Sequence, residues 1–174
     1  MIVKNIAKMN IKPCVACEYC HTKGEGACIQ KDDMQEIYPV LAEAEGVVIA
    51  SPIYYFGLTG QAETALSRFY APFKPAKATK YAMILSSGSP GVYAGPEAQF
   101  NAMVGFFGAE VVGIVKIPGD QNRTEAALKE AEDLGAAFLK NTNKKAYDPK
   151  RSYVFFYAFS GVISQTPFSG AQGA

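Results

Sequence analysis

The feature that most limits the fold of this chain is a set of three short apolar runs. Each run is followed by a stretch in which apolar residues recur every three or four positions. The runs open the segments 47–57 and 110–117 and make up most of 80–86. Short continuous runs of this kind are typical of strands buried on both faces of a parallel sheet. Strands that alternate with helices predict an α/β domain, with a doubly wound parallel sheet and helices on both faces.

The helices between these strands are predicted from apolar residues that recur every three or four positions. Thr59 is in position to cap one of them, and Asn122 with Glu125 three residues later resembles a capping box. Pro39 lies inside the first helix, where it should kink or shorten it, and Gly46 should end that helix. The predicted helices span about 34–45, 59–70, 96–107 and 122–140, the last with Ala127, Leu128, Ala131, Leu134 and Phe138 facing inward, and residues 2–7 form a further short strand.

Size and charge narrow the class of protein. The chain has 174 residues, of which 49% are apolar, and its formal net charge is +1. This is enough for one domain with a sizeable core, and it argues against a disordered chain. A net charge this close to zero argues against a basic surface for binding nucleic acid or an acidic membrane. The N-terminus lacks a signal-peptide apolar segment and no apolar run is long enough to span a bilayer, so we expect a cytoplasmic protein.

The four cysteines all lie within fifteen positions, as Cys14, Cys17, Cys20 and Cys28. In a cytoplasmic protein, clustered cysteines are more often metal ligands or redox groups than disulfides. Three cysteines at successive two-residue gaps are typical of iron–sulfur loops, whereas structural zinc usually uses two separated pairs. The spacing therefore favours an iron–sulfur cluster, with zinc and free thiols as alternatives. We expect the neighbouring His21 to be exposed and not a ligand.

Two loops follow strands at their carboxyl ends, where open parallel sheets bind ligands. Backbone N–H groups and aromatic rings suit a planar heterocycle such as a flavin, although both loops could be simple turns. Tyr54, Tyr55 and Tyr93 are candidates for hydrogen bonds near such a ring, and no residue must act as a general acid or base. The first loop comprises Ser51, Pro52, Ile53, Tyr54, Tyr55, Phe56 and Gly57, and the second begins with Ser87 and Gly88.

Three segments in order, IKPCVACEYC, GACIQKDDMQEIYPVL and VVIASPIYYFGLTGQAETALSRF, make the chain resemble the iron–sulfur flavoprotein branch of the NADPH-dependent FMN reductase family. The resemblance covers about residues 2–142 and implies a flavodoxin-like fold. It implies that the four cysteines ligate a [4Fe–4S] cluster, and that the Ser51–Gly57 loop and Ser87-Gly88 hold the FMN ring and ribityl chain. Ser67-Arg68 stands where the family usually has Asp-Arg, and residues 61–64 lack the lysine often seen there.

Compared with that family, the chain begins at what would be the second strand, without the first strand, its serine-rich phosphate loop and its helix. Residues 152–159, SYVFFYAF, form a strand-like run near the C-terminus. Ser160, Ser164 and Thr166 follow it and are candidate phosphate donors. We predict that this tail supplies the missing central strand, in the same chain or by swapping. The alternative is an edge strand or a dimer contact.

The domain organisation and function follow as expectations. A flavodoxin-like domain should cover residues 1–147, with the cysteine loop at 13–28 and a C-terminal extension at 148–174. The resemblance implies an FMN-dependent electron-transfer oxidoreductase with a [4Fe–4S] cluster, served by NAD(P)H or a ferredoxin-like carrier and assembled as a homodimer or homotetramer. The alternatives are a NAD(P)H:FMN reductase without a cluster, and a non-catalytic metal-binding or oligomerisation module.

Overall fold

The computed structural model describes residues 2–140 and 153–158, which form a parallel sheet with α-helices on its two faces. The strands and helices alternate as the sequence predicts. The strands are β1 (Ile2–Asn5), β2 (Gly46–Pro52), β3 (Lys80–Ser87), β4 (Glu110–Pro118) and β5 (Tyr153–Tyr157). The helices are α1 (Met34–Glu43), α2 (Gly60–Ser67), α3 (Ala94–Phe107) and α4 (Glu125–Lys140).

The last strand in the chain lies near the middle of the sheet. The strand order is β1-β5-β2-β3-β4, and every pairing is parallel. Strand β5 faces Ile2 of β1 with Val154 and Gly46 of β2 with Tyr153. It thereby satisfies the backbone groups on the facing edges of β1 and β2, which would otherwise be left unpaired.

This topology confirms the prediction that the C-terminal segment fills the missing central position of a flavodoxin-like sheet. An edge strand is excluded, because β5 has a neighbour on each side. The candidate phosphate donors Ser160, Ser164 and Thr166 lie outside the described residues, and so does the boundary placed at 147/148.

The main hydrophobic core lies between the sheet and helices α1 to α3. It joins Val47 and Ile49 of β2 to Ile37 of α1 and Ala62 of α2. Phe156 of β5 belongs to the same core, and its ring lies 6.1 Å from that of Phe69, centroid to centroid. The C-terminal strand is therefore anchored by side-chain packing as well as by backbone hydrogen bonds.

Helix α4 packs on the opposite face of the sheet. Phe138 lies so close to Gly46 that a Cβ there would approach the phenyl ring to 2.5 Å. Gly46 is next to Val47 in β2, and adjacent side chains of a strand point to opposite faces. Within the described residues, no helix has the length and apolar composition needed to cross a membrane.

Several local predictions meet different outcomes. Thr59 caps α2, since its side chain accepts a hydrogen bond from the N–H of Ala62. Asn122 was the wrong choice for α4, because the Thr124 hydroxyl accepts from Ala127 N and the Asn122 amide donates to the Gly119 carbonyl.

Two further corrections concern the end of α1 and the inner face of α4. Leu128 is 59% exposed, so it does not face inward. Gly46 begins β2 instead of ending α1, which ends at Glu43; Pro39 lies inside that helix, and a kink there stays a prediction. The helix ends earlier because Ala44 already has extended backbone dihedrals.

Candidate functional site

Ser51 and Pro52 are the last residues of β2, and Ser51 fixes the shape of the loop that follows. The buried Ser51 hydroxyl donates to the Pro52 carbonyl at 2.8 Å and accepts from Thr59 N at 3.1 Å. The N–H of Ile53 donates to the Ser86 carbonyl at 2.7 Å, which ties this loop to the end of β3. Ser51 and Ile53 therefore shape the loop, and the Ser51 hydroxyl is engaged within the protein.

The tip of this loop displays aromatic rings to solvent. Tyr54 and Gly57 exchange two backbone hydrogen bonds, at 3.0 and 3.2 Å, and close a tight turn. Tyr55 and Phe56 at its centre have left-handed backbones, with φ of 49° and 67°. A side chain pays about 1–2 kcal/mol for this conformation. The rings of Tyr54, Tyr55 and Phe56 are all exposed, so their flat faces are accessible to solvent.

The loop after β3 lies at the same edge of the sheet. The buried Ser87 hydroxyl contacts the Tyr93 hydroxyl at 2.6 Å and donates to the Ser89 carbonyl at 2.7 Å. Gly88 is exposed. At Gly95, in the first turn of α3, a Cβ would lie 3.0 Å from the carbonyl oxygen of Phe56. Helix α3 thus begins against the Ser51–Gly57 segment, which we call the aromatic loop. The hydroxyl of Tyr93, which the sequence predicts near a ligand, is hydrogen-bonded to Ser87.

The four cysteines line one cavity, although they differ in exposure. Cys14 and Cys17 are exposed, Cys28 is half-buried and Cys20 is buried. Four thiols around one cavity fit a four-cysteine metal group in number and type of ligand. Within residues 2–140 and 153–158, however, no three His, Cys, Asp or Glu side chains are positioned to hold a metal ion. The donor set is therefore present, and its sulfur atoms have not converged.

Burial raises the pKa of the Cys20 thiol, and the nearby Cys28, Glu18 and Cys14 raise it further, while a backbone hydrogen bond lowers it. Cys20 is therefore a protonated thiol at neutral pH when it carries no ligand. Because metals bind the thiolate, a metal that binds Cys20 must displace this proton.

A buried ion pair between Arg68 and Asp32 contacts the cysteine segment. The side chains of Arg68 and Asp32 are 1% and 2% exposed, and Arg68 Nη1 lies 2.7 Å from Asp32 Oδ2. Burial by itself raises the pKa of Asp32, but hydrogen bonds from Arg68 and from Lys12 N outweigh it and hold the pKa below its usual range. The second Nη atom of Arg68 lies 3.2 Å from the Sγ of Cys28. A full charge is thus buried directly against one of the four thiols.

The neighbouring Ser67 holds the other end of the segment. Its hydroxyl accepts a hydrogen bond from Cys14 N at 3.1 Å and donates to the Thr64 carbonyl at 2.7 Å. In the sequence, Ser67-Arg68 stands out only as a departure from the family pattern. Nothing in the sequence pattern connects either residue, or Asp32, with the cysteines, because these partners are far apart in the chain.

Exposed aromatic side chains adjoin the cysteine cavity. We call His21, Tyr70, Phe73 and Phe106 the aromatic strip; the His21 ring makes edge contacts with Tyr70 and Phe73, and Phe73 stacks on Phe106. Tyr70, Phe73 and Phe106 are exposed. His21 is half-buried, and its Nε2 lies 2.9 Å from the Tyr70 carbonyl oxygen, so that ring nitrogen already has a partner.

Comparison with known proteins agrees with this architecture. The family model for NADPH-dependent FMN reductase matches residues 2–133. An iron–sulfur flavoprotein of Archaeoglobus fulgidus is 34% identical over 153 residues, covering 81% of this chain and 65% of the relative. An iron–sulfur flavoprotein of Methanocaldococcus jannaschii is 44% identical over 64 residues, covering 37% of this chain and 32% of the relative.

The chain thus spans less than two thirds of the length of these two curated relatives. Among solved structures, the Trp repressor binding protein from Bacillus subtilis has a TM-score of 0.44 at 22% identity, covering 62% of this chain and 71% of that one. That likeness is too partial to bear on function. The family match covers most of the chain together with both loops and the cysteine segment, and the chain belongs to the NADPH-dependent FMN reductase family.

Proposed function

We propose that this protein is an FMN-dependent electron-transfer oxidoreductase that carries a [4Fe–4S] cluster on Cys14, Cys17, Cys20 and Cys28. Family membership supports the flavin, and the names of the relatives support the cluster. One observation carries the proposal: α2 is bonded to both candidate sites. Thr59 at its start bonds Ser51 of the aromatic loop, while Ser67 at its end bonds the first cysteine.

When bound, FMN would exchange hydride or electrons and the cluster would pass single electrons. The chain's own part is to bind and orient. The exposed rings of Tyr54, Tyr55 and Phe56 offer flat surfaces to a planar ring system, while the hydroxyls of Ser51 and Ser87 keep the two loops in shape. Electrons would arrive from NAD(P)H or from a ferredoxin-like carrier.

The two sites lie at opposite ends of α2 within one chain. Thr59 and Arg68, which flank α2, are nine positions apart, which corresponds to about 13 Å along a helix axis. We propose a homodimer or homotetramer in which the cysteine loop of one subunit approaches the flavin of another. The aromatic strip supports this arrangement, because it is an exposed apolar surface beside the cysteine cavity.

Anaerobic reconstitution of the full chain with iron, sulfide and FMN tests the proposal. We expect about four iron atoms and one flavin per chain, with an iron–sulfur absorption band beneath the flavin bands. Replacing any one of the four cysteines with alanine should lower the iron content and leave flavin binding intact. His21→Ala, which changes a neighbour of Cys20 that is not a proposed ligand, should keep its iron. Zinc without flavin would overturn the proposal in favour of a metal-binding module.

A NAD(P)H:FMN reductase without a cluster is the second candidate. It is favoured by the family match itself, whose description names NADPH and FMN. Steady-state oxidation of NADPH with added FMN, in protein freed of iron, separates the two. Activity equal to that of the reconstituted protein would favour the reductase, and activity that requires iron would favour the electron-transfer flavoprotein.

A further inference from the structure

We propose that Arg68 is a positioning residue for Cys28: Asp32 fixes the buried guanidinium, which donates a hydrogen bond to the Cys28 sulfur and sets that sulfur's place. This inference deepens the proposed function, because its redox consequence rests on a cluster bound there. The positioning itself concerns the chain alone.

The geometry accounts for the four terminal N–H groups of the guanidinium. Nη1 donates to Asp32 Oδ2 and to the carbonyl oxygen of Lys12, each at 2.7 Å. Nη2 donates to Asp32 Oδ1 at 3.3 Å and to Cys28 Sγ at 3.2 Å. The carboxylate fills one side of the planar fork, so the outer N–H of Nη2 is directed at the sulfur.

The burial of Arg68 strengthens its hydrogen bond to Cys28, because such a bond is electrostatically stronger in the low-dielectric interior than in water. Taking an ion pair out of water costs several kcal/mol per charge. The attraction between the two charges offsets that cost only when their geometry is good. The Nε–H of Arg68 is buried without a hydrogen-bond partner among the described residues, so the guanidinium is not placed to satisfy all of its own donors. Its position instead satisfies Asp32, Lys12 and Cys28 together.

A metal-bound thiolate is a better acceptor than a thiol, so the contact should strengthen when a cluster binds. A donor that withdraws charge from a ligand sulfur favours the reduced cluster and raises its reduction potential. Removing the donor should therefore lower the potential and loosen Cys28. Outer contacts to metal ligands are typically worth about 10- to 100-fold in metal affinity.

Arg68→Lys is the central variant. It keeps a positive charge beside Asp32, but one ammonium group cannot span Asp32, Lys12 and Cys28 as a planar fork does. Arg123→Lys is the matched control, because it makes the same chemical change at an exposed arginine outside the cysteine segment.

A second variant guards against failure to fold. Arg68→Met combined with Asp32→Asn removes both charges, so neither partner is left as an unpaired buried charge, which is the strongly destabilising case. The asparagine oxygen still accepts from Lys12 N, as Asp32 Oδ2 does in the wild type. If this variant matches the wild type in melting temperature, any change at Cys28 is not a consequence of lower stability.

Three measurements decide the inference. In the iron-free protein, both variants should speed hydrogen exchange of the backbone amides at residues 28–31 about tenfold, as expected for the loss of a charge-assisted hydrogen bond. In the reconstituted protein, both should lose iron to a chelator about tenfold faster and show a lower reduction potential. Arg123→Lys should match the wild type in all three.

The failures are distinguishable. Unchanged exchange, iron loss and potential in both variants would overturn the role of Arg68, even with a cluster present. Wild-type protein that binds no iron would overturn the proposed function, while the exchange measurement would still decide whether Arg68 positions Cys28. An Arg123→Lys variant that behaves like Arg68→Lys would also count against the inference, because the effect would then not depend on contact with Cys28.

Discussion

The Ser67 hydroxyl accepts the backbone N–H of Cys14 at 3.1 Å, across 53 positions of sequence. This bond fixes the first cysteine of the segment to the end of α2, next to the residue that contacts the last cysteine. The end of one short helix therefore sets the position of both ends of the cysteine segment.

Ser67→Ala should loosen the start of that segment. The Cys14 amide loses its acceptor, so its hydrogen exchange should rise severalfold, corresponding to about 1 kcal/mol for one hydrogen bond. Ser67→Thr keeps the hydroxyl and serves as the control. Equal exchange at Cys14 in wild type and Ser67→Ala would show that the bond contributes nothing in solution.

Tyr55→Gly should raise the stability of the flavin-free protein and weaken its binding of FMN. Tyr55 is 98% exposed and has a φ of 49°, so glycine removes backbone strain without losing buried area. We expect the unfolding free energy of the flavin-free protein to rise by about 1 kcal/mol and FMN to bind several-fold more weakly. Urea unfolding and flavin titration measure the two effects.

Tyr55→Ala is the control for that experiment, since it removes the same ring and keeps a Cβ in the left-handed backbone. It should weaken FMN binding equally and leave the stability near that of the wild type. Wild-type FMN affinity in either variant would mean that the Tyr55 ring does not contact the flavin.

Phe156→Ala should destabilise the whole domain if β5 occupies the centre of the sheet in solution. Phe156 is buried beside Phe69, and truncating a buried phenylalanine costs about 3–5 kcal/mol. Phe106→Ala makes the same chemical change at a site that is 66% exposed, and it should cost much less. Equal urea midpoints for the two variants would contradict the docking of the C-terminal strand.

The Asp32 carboxylate should make part of the stability depend on pH. Its pKa is held below its usual range mainly by Arg68, against the opposing effect of burial; the Tyr38 hydroxyl and the Cys28 thiol also face Arg68. Because the folded-state pKa is the lower one, the stabilisation is full above the unfolded pKa of about 3.9 and is lost as the pH falls through the folded pKa.

Urea unfolding of iron-free protein between pH 2 and 7 checks this expectation. The difference in unfolding free energy between wild type and Asp32→Asn should be constant near neutral pH and shrink below about pH 3.9. Asp120→Asn changes an exposed aspartate and should show little difference at any pH. A wild-type advantage over Asp32→Asn that persists unchanged at pH 2 would refute the assignment.

The alternation of strands and helices, the cap at Thr59 and the grouping of the cysteines were all predictable from sequence. Each depends on residues that are close in the chain, because strand burial, helix capping and ligand spacing are local properties. The same local reasoning predicted Asn122 as the cap of α4, whereas Thr124 caps it, because the Asn122 side chain instead bonds the Gly119 carbonyl.

The sequence by itself determined a parallel α/β domain of the FMN reductase family, with four thiols in one loop and aromatic residues at a strand end. The sequence also predicted a central strand near the C-terminus, with an edge strand as the alternative, and the tertiary structure decided between the two. Only the tertiary structure showed that Arg68 meets both Asp32 and Cys28. Those contacts join residues 36 and 40 positions apart, and they form because burial brings a charge, its counter-charge and a sulfur atom to the same point. Periodicity and motif spacing describe neighbours along the chain, whereas partners across the core are selected by packing and by the cost of leaving a buried charge unpaired.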